Sequence, residues 1–96
     1  MIDLIETFAN YEDEYIKFDR VINPLSSRPD LCAFILLDKL VPQPTHDIIG
    51  SAEHDEIFLD VDCDKLAIVA TEADIITLIR CGVRYDHEYD SLAMFV

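Results

Sequence analysis

Three aspartates at alternate positions resemble the start of a metal-binding loop. Asp60, Asp62 and Asp64 read D-x-D-x-D, which is how a calcium loop of the EF-hand type begins. Such a loop needs glycine at its sixth position and glutamate at its twelfth, for the sharp turn and for the bidentate ligand. Lys65 and Thr71 occupy those positions here. We therefore predict no calcium site, and expect Asp60 to be an outer-face acid of a strand and Asp62 to cap a helix.

A second group of metal-capable side chains is concentrated between residues 46 and 56. Zinc is bound by such residue types, but the histidine positions match no recurrent ligand spacing. The group comprises His46, Asp47, Glu53, His54, Asp55 and Glu56. We expect a polar surface loop in this segment rather than a metal site, and we expect His87 to be solvated.

The cysteines are widely spaced at Cys32, Cys63 and Cys81. A disulfide framework uses an even and denser set, and no C-x-x-C pair is present for zinc or redox chemistry. The pattern favours small buried side chains in a reducing cytoplasm. The first residues are acidic where a signal peptide is basic, so no export is expected.

No motif for nucleophilic catalysis is found. A nucleophile elbow reads G-x-S-x-G, and phosphate-binding loops are also rich in glycine, whereas Gly50 and Gly82 are the chain's two glycines. Pairs of carboxylates are common in so acidic a chain and therefore select no active site. We predict a non-enzymatic protein without a cofactor.

Charge is the strongest chemical signal. Seven Lys and Arg against 20 Asp and Glu give a formal net charge of −13 in 96 residues. A charge of roughly 2–8 suffices to keep a small domain soluble. Nucleic-acid phosphates and anionic membranes both repel such a chain, and no apolar run approaches the about 18 residues that span a bilayer. The expected partner is a basic protein or nucleoprotein complex.

Acidic residues accompanied by tyrosines mark the candidate partner-binding positions, since interface cores favour aromatic anchors. One group lies in the N-terminal segment and comprises Glu12, Asp13, Glu14 and Asp19. The other lies near the C-terminus and comprises Arg84, Tyr85, Asp86, Glu88, Tyr89 and Asp90.

Apolar spacing predicts two helices in the N-terminal half. The first covers about residues 3–21, is capped by Asp3 and ends before Pro24; its stripe consists of Leu4, Phe8, Tyr11, Tyr15, Phe18 and Ile22. Ser27 is predicted to cap the second helix, which begins near Pro29 and ends at about Leu40. Because this helix is apolar nearly all round, we expect it to be the central buried helix or to lie partly in an oligomer interface.

The C-terminal half shows strand and helix signals in turn. Ile57, Leu59 and Val61 alternate as in a half-buried strand, whereas Ile48 and Ile49 fit either a short strand or a packed loop. The next segment fits either a strand over residues 66–70 or a short helix after an Asp62 cap, and we predict the helix, with Leu66, Val69 and Ala70 on one side. Thr71 begins a helix with the capping box T-E-A-D; Ile75, Leu78 and Ile79 form its apolar side, and Gly82 ends it.

Residues 83–85 and 92–96 predict a closing hairpin, with Leu92, Met94 and Val96 on one face and Ala93 and Phe95 on the other. No linker divides the chain. We therefore predict one domain over residues 1–96, of the α+β class.

This order of elements resembles that of winged-helix domains over about residues 30–96. In those domains the second of two helices reads the major groove of DNA. The corresponding helix here carries Glu72, Asp74, Thr77 and Arg80, and the wing carries Asp86, Glu88 and Asp90 against Arg84. Phosphates are repelled by both elements, so the resemblance implies a use other than reading DNA.

In size, acidity and intracellular character, the chain resembles the small acidic inhibitors that phages make against host defences, including anti-CRISPR and DNA-mimic proteins. The resemblance lies in composition and transfers no site residue. It implies a cytoplasmic monomer or weak homodimer that blocks a nucleic-acid-binding surface of a host protein. The alternative is a structural or regulatory oligomer that uses the second helix, around residues 34–37, as its interface.

Overall fold

The computed structural model describes residues 1–95 and combines α-helices with one antiparallel sheet. The helices are α1 (Leu4–Asn10), α2 (Pro29–Leu40), α3 (Cys63–Val69) and α4 (Glu72–Arg80). The strands are β1 (Ile49–Glu53), β2 (Glu56–Leu59), β3 (Arg84–Asp86) and β4 (Ser91–Phe95), in the order β1-β2-β4-β3. This confirms the predicted α+β class. Val96, which was predicted to share a face of the last strand with Leu92 and Met94, lies outside the described residues.

The core lies between the helices and one face of the sheet. Ile57 is opposite Met94, and Leu59 is opposite Leu92, so these four side chains of β2 and β4 share the inner face. They form one buried cluster with helical residues that include Leu37, Leu66, Ile75 and Leu78. Burial of apolar area on this face holds the helices against the sheet.

The predicted helix over residues 3–21 is wrong beyond its first two turns. α1 begins at the Asp3 cap, as predicted, but ends at Asn10, and short 3₁₀ turns follow at Glu12–Glu14 and Phe18–Arg20. Between these turns, Ile16 has a φ of 56° and donates its N–H to the Ile79 carbonyl at 3.1 Å. Hydrogen bonding to α4 thus replaces the helical hydrogen bond.

The apolar spacing of this segment correctly predicts burial for some of its residues but not for all. Tyr11, Tyr15 and Phe18 are half-buried against the core, as a stripe predicts. Ile22, the last member of the predicted stripe, is 84% exposed.

α2 lies at the surface, so its prediction as the central buried helix is wrong. Only the stripe of Cys32, Ala33 and Leu37 is buried, and Leu31 on another side is 45% exposed. Pro29 occupies the first turn, but the N-cap is Arg28 rather than Ser27, without a side-chain hydrogen bond to the helix. α4 is the helix that packs most closely against α2, and Leu31, Asp38 and Lys39 on its remaining surface are exposed.

Local signals in the C-terminal half are confirmed. The Asp62 carboxylate accepts from the N–H groups of Asp64 and Lys65, and Thr71 forms a capping box with Asp74. Gly82 has a φ of 100° after α4, which is the left-handed conformation expected at a helix end. Residue Val69 departs from its prediction, because it is exposed whereas Ala67 is buried.

Residues 49–53 resolve the alternative left open in the middle of the chain. They form β1, which pairs with β2 through an irregular register between Ile49 and Ser51. β1 is an exposed edge strand beside the predicted succession of strand, two helices and hairpin. The winged-helix resemblance of that succession stays a prediction.

Candidate protein-binding surface

The face of the sheet that points away from the core carries polar and aromatic side chains. We call it the outer sheet face. Strand alternation and register assign it Ser51, Glu53, Glu56, Phe58, Arg84, Asp86, Ser91, Ala93 and Phe95, with Asp60 just after β2. None of these residues belongs to the buried cluster formed with the helices. This face is therefore separate from the core formed with the helices, and the exposed residues on its strands are Ser51, Glu53 and Phe95.

Arg84 is held on the outer sheet face by two carboxylates and an aromatic ring. It lies opposite Ala93 on β4, and its guanidinium reaches across that strand to the Glu56 carboxylate. A second contact joins it to Asp86 at 3.4 Å, and its guanidinium carbon lies 4.5 Å from the centre of the Phe95 ring. Ala93 is fully buried, because the side chain of Arg84 passes over it. Arg84 is therefore engaged within the chain.

Tyr89 and Phe58 form the aromatic part of a shallow pocket on the outer sheet face. Their rings meet edge to face with centroids 5.0 Å apart, and Tyr89 is 55% exposed. The pocket has a volume of about 420 Å³ and is also lined by Glu53 and Asp60. Neighbouring carboxylates raise the pKa of Tyr89, Glu53 most strongly. Negative charge is thus concentrated around an exposed ring.

Glu53 and Asp60 have no basic neighbour among residues 1–95. Glu53 lies directly opposite Glu56 across β1 and β2, and like charges in that position repel each other. Arg84 neutralises Glu56, but no lysine or arginine of the described chain lies within 4 Å of Glu53 or Asp60. These two carboxylates are therefore available to an outside cation.

Asp86 organises the turn between β3 and β4. Its carboxylate accepts from the N–H of Glu88 at 2.9 Å and from that of Tyr89 at 3.1 Å. The hydrogen bond from Tyr89 is the largest of the effects that together lower the pKa of Asp86, against a smaller opposing effect of burial. Asp86 thus has a role inside the chain, whereas Glu88 and Asp90 are exposed at the turn.

Tyr85 differs from Tyr89 in its setting. It lies on the inner side of β3 and is half-buried, with its ring 6.3 Å from that of Phe8 and 5.2 Å from that of His87. Its predicted use as an exposed anchor is therefore not supported by its position. Tyr89, which is 55% exposed, remains the tyrosine available to contact a partner.

Glu14 is engaged by two arginines of its own chain. Its carboxylate accepts from Arg20 at 2.7 Å and from Arg80 at 2.8 Å, and its side chain is only 13% exposed. The Arg80 hydrogen bond is the main reason that the pKa of Glu14 lies below its ordinary value; burial acts in the opposite direction. Glu14 therefore stabilises the N-terminal segment, and the exposed members of its predicted group are Glu12, Asp13 and Asp19.

The two predicted groups meet only at their edges. Glu12 lines a groove of about 370 Å³ together with Arg84 and Tyr85. Phe58, Phe95, Glu53 and Asp60 were not predicted as site residues, although the alternation of β2 placed Phe58 and Asp60 on its polar face. No local pattern predicted a place for Glu53 on this face, because the pairing of β1 with β2 is not indicated by the sequence.

The predicted metal-capable groups do not converge. Among residues 1–95, no three His, Cys, Asp or Glu side chains are placed to hold a metal ion. Asp62 is a helix cap and Asp60 an exposed acid, while His54 lies in the turn between β1 and β2. Over the same residues, no helix combines the length and apolar character needed to cross a membrane.

Comparison with protein-family models, with curated proteins and with solved structures finds no match to this chain. The physical properties of its surface are therefore the basis for a functional proposal.

Proposed function

We propose that this protein binds a basic surface of another protein, one that ordinarily holds nucleic acid, and blocks it without performing catalysis. The observation that carries the proposal is the outer sheet face, where the unpaired carboxylates of Glu53 and Asp60 lie beside the exposed Tyr89 ring. Among known classes, small acidic phage inhibitors such as anti-CRISPR and DNA-mimic proteins have a comparable composition.

Because three arginines form ion pairs within the chain, the charges that remain unpaired are more predominantly negative than the composition alone implies. Arg20, Arg80 and Arg84 all form ion pairs with carboxylates of the same chain. A strongly negative surface steers a cationic partner over distances of about a Debye length and competes with phosphate for it. The aromatic rings supply contact area that charge alone lacks.

Two matched triple reversals test which surface makes the contact. The first is E53K/D60K/E88K on and beside the outer sheet face, and the second is E12K/D13K/D19K on the N-terminal segment. Both change the net charge equally, and both spare Glu14 and Asp86, whose hydrogen bonds hold the fold.

The measurement begins with capture of partners from a host lysate at low salt and their identification by mass spectrometry. Displacement of nucleic acid from each captured protein is then followed by fluorescence anisotropy. We expect displacement that weakens steeply with salt and that the first triple reversal reduces more than the second. Displacement that is flat with salt and unaffected by both variants would overturn the proposal.

A second candidate function is assembly through α2. Leu31 is 45% exposed, and Ile35 one turn further along α2 is only partly buried, as in an unpartnered apolar surface. Light scattering at two concentrations tests this, with Leu31→Glu as the interface variant. A mass that rises with concentration and falls back in the variant supports it; a constant monomer mass contradicts it.

A further inference from the structure

Arg84 shows how the outer sheet face holds a guanidinium group. Carboxylates of Glu56 and Asp86 contact it, and the Phe95 ring lies against it at 4.5 Å. A planar cation fits this arrangement because guanidinium stacks on aromatic rings while its N–H groups bond to carboxylates.

The same two kinds of group, carboxylates and aromatic rings, line a pocket formed by β1, β2 and the turn before β4. The pocket lined by Glu53, Phe58, Asp60 and Tyr89 offers two carboxylates and a pair of rings. Here no basic side chain of residues 1–95 approaches the carboxylates within 4 Å. The volume of about 420 Å³ falls within the range of roughly 300–1,000 Å³ found for ligand pockets.

We propose that this pocket receives an arginine side chain of the partner protein, with its guanidinium against the Tyr89–Phe58 rings and attracted by the Glu53 and Asp60 carboxylates that line the pocket. The inference rests on the proposed function, which requires a basic partner. It adds the chemistry of the contact: a single inserted arginine on the outer sheet face. Arginine is preferred to lysine, because a compact ammonium neither stacks on a ring nor bonds bidentately.

The test uses three peptides whose termini are blocked and therefore uncharged. They are acetyl-Gly-Arg-Gly-amide and the corresponding peptides with lysine or citrulline in place of arginine. Each is titrated into the isotope-labelled full chain, and amide chemical shifts are recorded by NMR. We expect saturable shifts with the arginine peptide at Ser51, Glu53, Phe58, Tyr89 and Ser91. The lysine peptide should bind more weakly, and citrulline, which has the shape without the charge, should produce no saturable shift.

Conservative variants assign the contacts. Both E53Q/D60N and Tyr89→Leu should weaken arginine-peptide binding by about fivefold or more, the scale of one cation–π or ionic contact. The matched control E12Q/D13N, which removes the same charge elsewhere, should not. Well-dispersed spectra show that each variant is folded.

Equal binding of all three peptides, shifts confined to another surface, or binding unaffected by E53Q/D60N would each overturn the inference. These outcomes leave the proposed function standing if the first triple reversal still reduces displacement of nucleic acid more than the second. Conversely, saturable arginine binding with no nucleic-acid displacement keeps the pocket and overturns the function.

Discussion

Glu14 and Arg80, which are far apart in the chain, form an ion pair of 2.8 Å. Glu14 also binds Arg20 at 2.7 Å, so one carboxylate connects both 3₁₀ turns of the N-terminal segment to the end of α4. This contact, together with the hydrogen bond from Ile16 to Ile79, explains why the segment folds back instead of extending as a helix.

Glu14→Gln should lower the urea midpoint of unfolding at neutral pH, because two arginines lose their common carboxylate. The matched control is Glu12→Gln, an exposed glutamate in the same turn, for which we expect little change. Urea unfolding of the three proteins, followed by circular dichroism, measures the effect. Equal midpoints for both variants would contradict the structural role of Glu14.

The effect of Glu14 should also depend on pH. Its folded pKa lies below the ordinary value of 4.5, so its stabilising contribution is present above about pH 4.5 and is lost as pH falls through the folded pKa. The difference between wild type and Glu14→Gln should therefore shrink on acidification. A difference that stayed constant from neutral to strongly acidic pH would contradict this assignment.

Ala93→Val should destabilise the protein by about 1–3 kcal/mol, because the added methyl groups occupy the space over which the Arg84 side chain passes. The exposed Ala52 on β1 offers a control: Ala52→Val adds the same groups on an open edge strand, where β-branched residues are favoured. Thermal unfolding of both variants provides the comparison. Loss of stability in Ala52→Val alone would be the opposite of what the structure indicates.

Gly82→Ala should cost about 1–2 kcal/mol, because its φ of 100° is unfavourable for residues with a side chain. Contact is not the cause, since a β-carbon there would lie 3.7 Å from the nearest atom, the Ile16 Cγ2. Gly82→Asn should cost less, as asparagine tolerates left-handed backbone better. Chemical denaturation of the two variants orders them, and a smaller loss for alanine than for asparagine would refute the explanation.

The cysteines should differ in reactivity. Burial, with a contribution from the neighbouring Cys32, raises the pKa of Cys81 to about 12, so its reactive thiolate is scarce near neutral pH. Cys32 is buried as well, whereas Cys63 is half-exposed, although burial and nearby aspartates raise its pKa. Alkylation of the native protein near neutral pH, read by mass spectrometry, should label Cys63 first.

Denaturant should then expose all three thiols to labelling at similar rates. Rapid modification of Cys81 in the folded chain would contradict its burial. The same measurement gives a check on the fold of every variant above.

Sequence patterns by themselves determined the features that depend on near neighbours. The Asp62 cap, the Thr71 capping box and the left-handed Gly82 each involve hydrogen bonds or backbone angles within a few residues, so short patterns predict them. The alternation of β2 likewise predicted that Ile57 and Leu59 face the core. Net charge, a property of composition, is the basis for predicting a basic partner.

Tertiary structure alone decided where that charge is available. Glu14 and Asp86 are alike acidic in the sequence, yet both are engaged in the fold, while Glu53 is left unneutralised because β1 pairs with β2 and Arg84 reaches Glu56 instead. The N-terminal segment follows the same rule, since its spacing fits a helix but contacts with α4 outweigh helix propensity. Contacts between distant residues depend on strand pairing and packing, and local sequence patterns predict neither of them.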